Sequence, residues 1–313
     1  MTEAKTPGQY VYVVCASEDN YIAEMAAVSM TSLRITSPNA RIMALTDRPT
    51  SLMSTPGITA VRATADELVT VDCPGENPIV RSRFLKCSMR ELVSGPFLYL
   101  DSDTLMMQSP DTIWSIGCDI AASPAIGSDR KAFAASAADP EACAALGWTF
   151  GARQYLNSGV IYFADSAAAR TIGDQYLAAW TQFQQVIGRA NEEVAFNRAV
   201  EMAGANLVIL PWSYNAQISM NVLTLRGAKI IHFFTGDFEA SIETIAHTVA
   251  KRLKHNGELD VAAIRSAIQS GNPWTQIDSY RKAIATRSYS SIGKISFDRL
   301  TNRSASPVNR QYG

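Results

Sequence analysis

Residues 97–100, Phe-Leu-Tyr-Leu, form an unbroken apolar run that opens after Gly95-Pro96 and stops on Asp101-Ser102-Asp103. A run this short, apolar at every position and bounded by turn residues, predicts a strand covered on both faces, as in a parallel sheet. Such a strand needs helices on both sides of its sheet, which commits the chain to an α/β architecture. Side chains alternate along a strand, so Asp101 and Asp103 are expected to leave its carboxyl end on one side. That edge is where open α/β sheets hold ligands. Two bare carboxylates this close repel each other, and a divalent cation that prefers hard oxygen ligands removes the repulsion. A pair of solvated turn aspartates is the plainer alternative, and these residues alone leave both open.

The flanking segments agree with the architecture. Tyr10–Val14 is a β-rich run, residues 21–35 carry helical apolar spacing, and Arg41–Thr46 is a second strand. Residues 79–92 read as a helix stopped by Gly95-Pro96. Residues 124–152, rich in Ala, Gly and Asp, read as a loop of the kind that forms lids, with a short Ala-rich helix near Glu141. Asn157-Ser158-Gly159 leads into a strand over Val160–Phe163, and Ile172, Tyr176, Trp180, Phe183 and Ile187 recur at the spacing of an amphipathic helix. Asn191 before Glu192-Glu193 predicts an N-cap with acids at the positive end of a helix that runs to about Gly204. Leu207–Leu210 and Lys229–Phe234 are later strands.

With 313 residues, 47% of them hydrophobic, the chain can bury a full core as one large domain or two intimately joined ones. No apolar run reaches membrane-spanning length and no charged-then-apolar leader opens the sequence, so a soluble, cytoplasmic protein is expected. The five cysteines are odd in number and share no ligand spacing, which predicts reduced, mostly buried thiols. Net charge is -1 but unevenly spread: residues 281–313 hold seven Lys/Arg against Asp298, leaving -7 for the rest. Tyr280, Tyr289, Ile292, Ile295, Phe297 and Tyr312 are interleaved with those charges, a pattern suited to anionic lipid headgroups. A basic tail packed on an acidic body is the alternative. Nucleic acid is not among the expected partners.

Taken in order, the Arg83-Phe84-Leu85-Lys86 helix, LDSDTL (100–105), TIWSIGCDIAAS (112–123), LNSGVIYF (156–163), NEEVAFN (191–197), LPWSYN (210–215) and IIHFF (230–234) resemble the retaining nucleotide-sugar glycosyltransferases of the GT-A fold. The resemblance is to the group of glycogenin and the bacterial lipopolysaccharide galactosyltransferases, glycosyltransferase family 8. It implies a mixed central sheet flanked by helices. A polar extension over 1–9 precedes a catalytic domain over 10–240, with a nucleotide-binding half at about 10–115 and an acceptor half at about 150–240. A helical and basic region over 241–313 follows. It implies transfer of a hexosyl group from a UDP-sugar to an acceptor that the sequence does not identify. Asp101, Asp103 and His232 would be the ligands of a manganese or magnesium ion, with manganese preferred because a mixed oxygen and imidazole set suits it. Lys86 and Arg83 match basic residues that contact the donor, with Ser102 and Gly236 beside it. Asn157 matches an asparagine that hydrogen-bonds the sugar, while Ala16, Ser17 and Tyr21 fall where base and ribose are held. Aligned on Asn197, Glu192 stands for the acid that holds sugar hydroxyls and Glu193 for the residue below the reacting carbon.

One departure stands out. Where the resembled proteins usually read H-x-x-G-x-x-K-P-W, this chain reads HFFTGDFEAS from residue 232; aligned on Gly236, with one extra residue after the histidine, Glu239 stands where the lysine would neutralise the leaving diphosphate. Lys86, Lys251 or a tail arginine could substitute. Two other readings of the chain stand beside this one. A haloacid-dehalogenase-like phosphatase also uses D-x-D-x-[TV] and would make Asp101 a nucleophile, though Leu105 occupies its last position here. The other is a non-catalytic nucleotide-sugar-binding protein that kept the fold.

Overall fold

The computed structural model describes residues 8–125, 139–151, 154–218, 225, 227–233 and 243–277. In chain order its elements begin with β1 (Gln9–Val14), α1 (Ile22–Thr36), β2 (Arg41–Asp47), α2 (Arg48–Ser51), α3 (Pro56–Thr64) and β3 (Glu67–Val71). They continue with α4 (Pro78–Leu92), β4 (Phe97–Leu100), β5 (Thr104–Met106), β6 (Ile120–Pro124), α5 (Pro140–Ala145), β7 (Leu156–Phe163), α6 (Ala167–Ile187) and α7 (Glu192–Ala203). The last are β8 (Leu207–Ile209), β9 (Ala216–Gln217), β10 (Ile230–His232), β11 (Glu243–Thr244), α8 (Ile245–Asn256), α9 (Val261–Ser270) and β12 (Trp274–Gln276).

Seven of these strands form a mixed sheet in the order β3-β2-β1-β4-β7-β6-β8. Four are parallel, β3 to β4, and β4 then pairs antiparallel with β7. The apolar run at 97–100 is therefore central and fully buried, but its neighbours are one parallel and one antiparallel strand. Both faces are covered: one core layer joins Val11, Val13, Phe97, Tyr99 and Ile161 to α4, α6 and α7, and the other joins Tyr10, Tyr12, Leu98, Leu100 and Val160 to α1 and α3. Phe97 and Phe163, opposite each other across β4 and β7, stack at 5.1 Å.

The antiparallel pairing matters for what lies at the sheet edge. Because β7 runs opposite to β4, its first residues sit beside the last residues of β4; Leu100 faces Val160, and the Asp101 amide donates to the Gly159 carbonyl at 2.8 Å. Asn157-Ser158-Gly159 lies within β7 rather than before it, since pairing with β6 and the hydrogen bonds of Asn197 extend the strand back to Leu156. A second, three-stranded sheet, β5-β10-β9, stands at the same edge. It shares a core with α1, α8 and α9 through Met25, Val28, Leu105, Ile231, Val249 and Ile264. No described helix is long and apolar enough to cross a membrane. The described cysteines are free thiols, four of them buried.

Within the lid-like stretch, α5 forms where the Ala-rich helix was expected, capped by Asp139. Residues 126–138 and the tail from 278 onward lie outside the described residues.

Candidate active site

Asp101, Ser102 and Asp103 occupy the turn between β4 and β5, so strand alternation is not what brings the two carboxylates together. The turn does this. Thr104 Oγ1 donates to the Asp101 carbonyl at 2.8 Å, and Ser102 Oγ donates to the Val13 carbonyl at 3.1 Å, tying the turn to β1. His232 arrives from β10, antiparallel to β5 with Thr104 opposite, and the Phe233 amide donates to the Asp103 carbonyl at 2.9 Å. His232 Nε2 consequently sits 3.6 Å from Asp101 Oδ2 and 3.4 Å from Asp103 Oδ1.

These three residues offer ligand atoms that all lie within 4.8 Å of one another. A Cβ at Gly159 would come within 2.2 Å of His232 Cε1 and 2.9 Å of Asp101 Oδ2, so only glycine keeps this cradle open. Two carboxylate oxygens and one imidazole nitrogen, mostly buried, make a donor set that fits a divalent cation. Burial pushes the His232 imidazole down, but Asp103 and then Asp101 outweigh it and raise its proton affinity.

Behind the aspartates lies a charged layer. Lys86, from α4, is 1% exposed and reaches Asp101 Oδ1 at 3.0 Å, Glu192 Oε1 at 2.8 Å and Ser158 Oγ at 3.3 Å. Burial acts to lower its pKa, yet Asp101 and Glu192 overcome this and raise it, so the ammonium stays charged. One helical turn earlier, Arg83 Nε holds Glu192 Oε2 at 2.8 Å. Burial drives the Glu192 carboxyl up, but Arg83 and Lys86 together pull it down to about 2. For its neighbour Glu193 the balance is reversed: burial first, then the Glu192 charge, push it up to about 7 against weaker opposing pulls from Lys86, the Ser158 backbone and His232. The two adjacent carboxyls thus titrate far apart, Glu192 ionised and Glu193 about half protonated near neutral pH, the kind of divergence by which one site separates acid and base roles.

Helix α7 delivers both. Asn191 caps it, accepting the Glu193 amide at 3.2 Å. Buried Asn197 locks the helix to β7, accepting the Leu156 amide at 2.9 Å and donating to the Leu156 carbonyl at 2.8 Å. Glu193 is thereby set beside Asn157, whose Nδ2 donates to Glu193 Oε2 at 2.8 Å.

In front of the cluster, Val13, Ile22, Met25, Arg83, Tyr99, Asp101, Ser102 and Asp103 line a cleft of about 110 Å³. Ile22 and Met25 also line an adjoining cavity of about 370 Å³ with Asn20, Tyr21, His247, Ala250 and Lys251. Tyr21 is held from α8: Lys254 Nζ lies 4.6 Å from its ring centre and donates to the Asn20 carbonyl at 2.6 Å. Ser17 Oγ accepts from Asn20 Nδ2 at 2.8 Å in the same loop. The structure therefore brings together Asp101, Ser102, Asp103, His232, Lys86, Arg83, Asn157, Glu192 and Glu193. Tyr21 stands in the neighbouring cavity, and Ser17 anchors its loop; Gly236 and Glu239 lie outside the described residues. Sequence reasoning assigns no role to Tyr99, whose hydroxyl donates to Asp101 Oδ1, to Ser158, which donates to Glu192, or to Asn215, whose Oδ1 lies 3.0 Å from His232 Nδ1. Asn215 stood inside LPWSYN, but nothing in that stretch says which buried partner it meets.

No protein-family profile matches the sequence, and no curated protein does. Solved structures do match. The complex of galactosyltransferase LgtC with donor and acceptor sugar analogues aligns with a TM-score of 0.51 at 13% identity, over 88% of this chain and 99% of that one. An active-site mutant of LgtC, in which glutamate replaces a glutamine, aligns with a TM-score of 0.50 at 12% identity and the same coverage. Mouse xyloside xylosyltransferase 1 in its apo form aligns at 0.49 and 11% identity, over 74% of this chain and 99% of that one. The likeness to LgtC establishes the fold: this chain has the GT-A fold of nucleotide-sugar transferases, as its ordered motifs anticipate.

Proposed function

We propose that this protein is a metal-dependent glycosyltransferase that moves a hexosyl group from a UDP-sugar to an acceptor, with retention at the anomeric carbon. The observation that carries the reading is the convergence of Asp101, Asp103 and His232 at the carboxyl edge of β4, facing an open cleft, on a GT-A fold. Asp101, Asp103 and His232 would hold a manganese or magnesium ion, which would supply positive charge for the departing diphosphate.

The chain's own residues account for the rest. The cleft beside Arg83 and Ser102 takes the diphosphate, and the cavity at Tyr21, Ile22 and Met25 takes the nucleoside. Lys86, sealed behind Asp101, fixes the aspartate and Glu192 in place. Glu192 and Asn157 present fixed hydrogen-bonding groups toward the sugar. During transfer the bond from the anomeric carbon to the diphosphate oxygen breaks with its electron pair leaving on UDP. A bond to the acceptor oxygen forms, and the acceptor's proton is released. Glu193, ionised, stabilises the cationic carbon from below or bonds to it transiently.

The phosphatase reading is not favoured: Asp101 Oδ1 is engaged by Lys86 and Tyr99 and Oδ2 faces His232, so the group is built as a ligand. The test is a thermal-shift panel of nucleotide sugars with and without manganese, followed by measurement of UDP release. Binding of a UDP-sugar raises the melting temperature. Metal-stimulated UDP release supports the transferase, binding without release supports a non-catalytic binder, and failure of every nucleotide sugar to bind overturns the proposal.

A further inference from the structure

A chain of hydrogen bonds joins His232 to Glu193 through two buried amides. His232 Nδ1 lies 3.0 Å from Asn215 Oδ1, Asn215 Nδ2 lies 2.7 Å from Asn157 Oδ1, and Asn157 Nδ2 lies 2.8 Å from Glu193 Oε2. Its direction follows from one atom that cannot change role. The Gly159 backbone amide donates to Asn157 Oδ1 at 2.9 Å; a backbone N–H is only a donor, so this atom of Asn157 must be the carbonyl oxygen. The Asn157 amino group then faces Glu193. The Asn215 atom that meets the same oxygen must be its amino nitrogen, which turns the Asn215 carbonyl oxygen toward His232. An oxygen there accepts only, so the neutral imidazole carries its proton on Nδ1, and its bare nitrogen is Nε2, which faces Asp101 and Asp103.

We infer that Asn215 is a positioning residue that sets the His232 tautomer for metal ligation and, with the same amide, aims Asn157 at Glu193. Asn215 is fully buried, so no water competes for these bonds. The two halves of its amide do separable jobs: the oxygen serves the metal side and the nitrogen serves the sugar side. The ligation half rests on the metal-dependent reading proposed above, whereas the tautomer does not.

The test has two arms. In metal-free protein labelled with 15N-histidine, at a pH where the ring is neutral, the His232 signals are expected to show Nδ1 protonated and Nε2 bare. With three histidines in the chain, His232→Gln assigns them. An Nε2-protonated ring overturns the inference whatever the enzyme does. The second arm measures Mn2+ affinity calorimetrically without substrate. Asn215→Ala is expected to weaken it about 10- to 100-fold, the usual effect of losing a group that orients a metal-bound histidine. Asn215→Asp keeps an acceptor for Nδ1–H but cannot donate to Asn157, so it should retain most of the affinity and the tautomer while lowering kcat. Wild-type protein that binds no Mn2+ defeats the functional reading; wild type and Asn215→Ala binding alike defeats the inference.

Discussion

Glu193→Gln tests the chemistry of the site and the physics that shapes it in one variant. The carboxyl is held at about 7 instead of 4.5, first by burial and then by the charge of Glu192. A folded-state pKa above the unfolded one means that the folded protein binds the proton more tightly. Stability from this group is therefore fully present below the unfolded value and is lost as pH rises through about 7. The gap corresponds to at most about 3 kcal/mol. Glutamine keeps the shape and can still accept from Asn157 Nδ2 but does not titrate. Urea unfolding should thus find the variant more stable than wild type at pH 9 by up to about 3 kcal/mol, with the difference shrinking as pH falls and gone only below about pH 4, under the unfolded value. Activity should move the other way. Wild-type kcat is expected to rise with pH through about 7 as the carboxylate forms, and the variant should lose that limb. Loss of a nucleophile costs several orders of magnitude in kcat, whereas loss of an electrostatic helper costs roughly 10- to 1000-fold. A variant with wild-type kcat and an unaltered pH profile would remove Glu193 from the reaction. Equal stability of the two proteins at pH 9 would refute the account of its burial.

Asp103→Asn should abolish metal-stimulated donor turnover and leave the circular dichroism spectrum unchanged; full turnover in that variant with the metal chelated would end the metal assignment. Lys254→Met removes the clamp from α8 onto the loop carrying Tyr21 and should raise the donor KM severalfold with little change in kcat, while an unchanged KM would detach that loop from the donor. Deleting residues 281–313 should reduce sedimentation with anionic vesicles, and high salt should mimic the deletion. If the full-length protein never sediments with such vesicles, the tail has no membrane role.

The central strands were legible because a short apolar run between turn residues has few uses other than a doubly covered strand, and β1, β2, β4 and β7 all carry that signature. The N-cap at Asn191 was legible because capping is local chemistry between a side chain and the next turn of backbone. Segments with weaker patterns were not: α3 and β3, half-buried at the sheet edge, carry mixed polarity because their outer faces meet solvent. The register of Asn157 was missed for a related reason, since extension of β7 depends on Asn197, forty residues away in the chain. The Asp-x-Asp pair was readable as a ligand candidate, but the geometry that unites it, a turn tied to β1 and β10, is tertiary. Asn215 lay beyond sequence reasoning altogether, because an amide's role is fixed by what faces it in the core and not by its neighbours in the chain.

The charge arithmetic of the site bears on the missing lysine. Lys86 is spent on Asp101 and Glu192 and does not line the cleft. Arg83 does line it, with Glu192 already at 2.8 Å. Lys251 borders the adjoining cavity but sits 2.6 Å from Glu243 Oε1. Each of these three cations is thus matched by a carboxylate, and Asp101, Asp103 and Glu192 outnumber Lys86 and Arg83. With Glu193 protonated and the His232 ring neutral, as metal ligation requires, the side chains of this cluster sum to a net negative charge and would by themselves repel a diphosphate. A unit charge pair at about 4 Å is worth roughly 4 kcal/mol at an effective dielectric of 20, and a divalent ion about twice that. On the metal-dependent reading the ion would cancel the excess and exceed what one lysine would supply, so it would serve donor binding as well as departure of the leaving group. UDP affinity measured by calorimetry should therefore collapse on chelation, before any chemistry is in question. UDP that binds equally well in chelator would show that the positive charge arrives from another source, with the seven basic residues of the tail the first to examine.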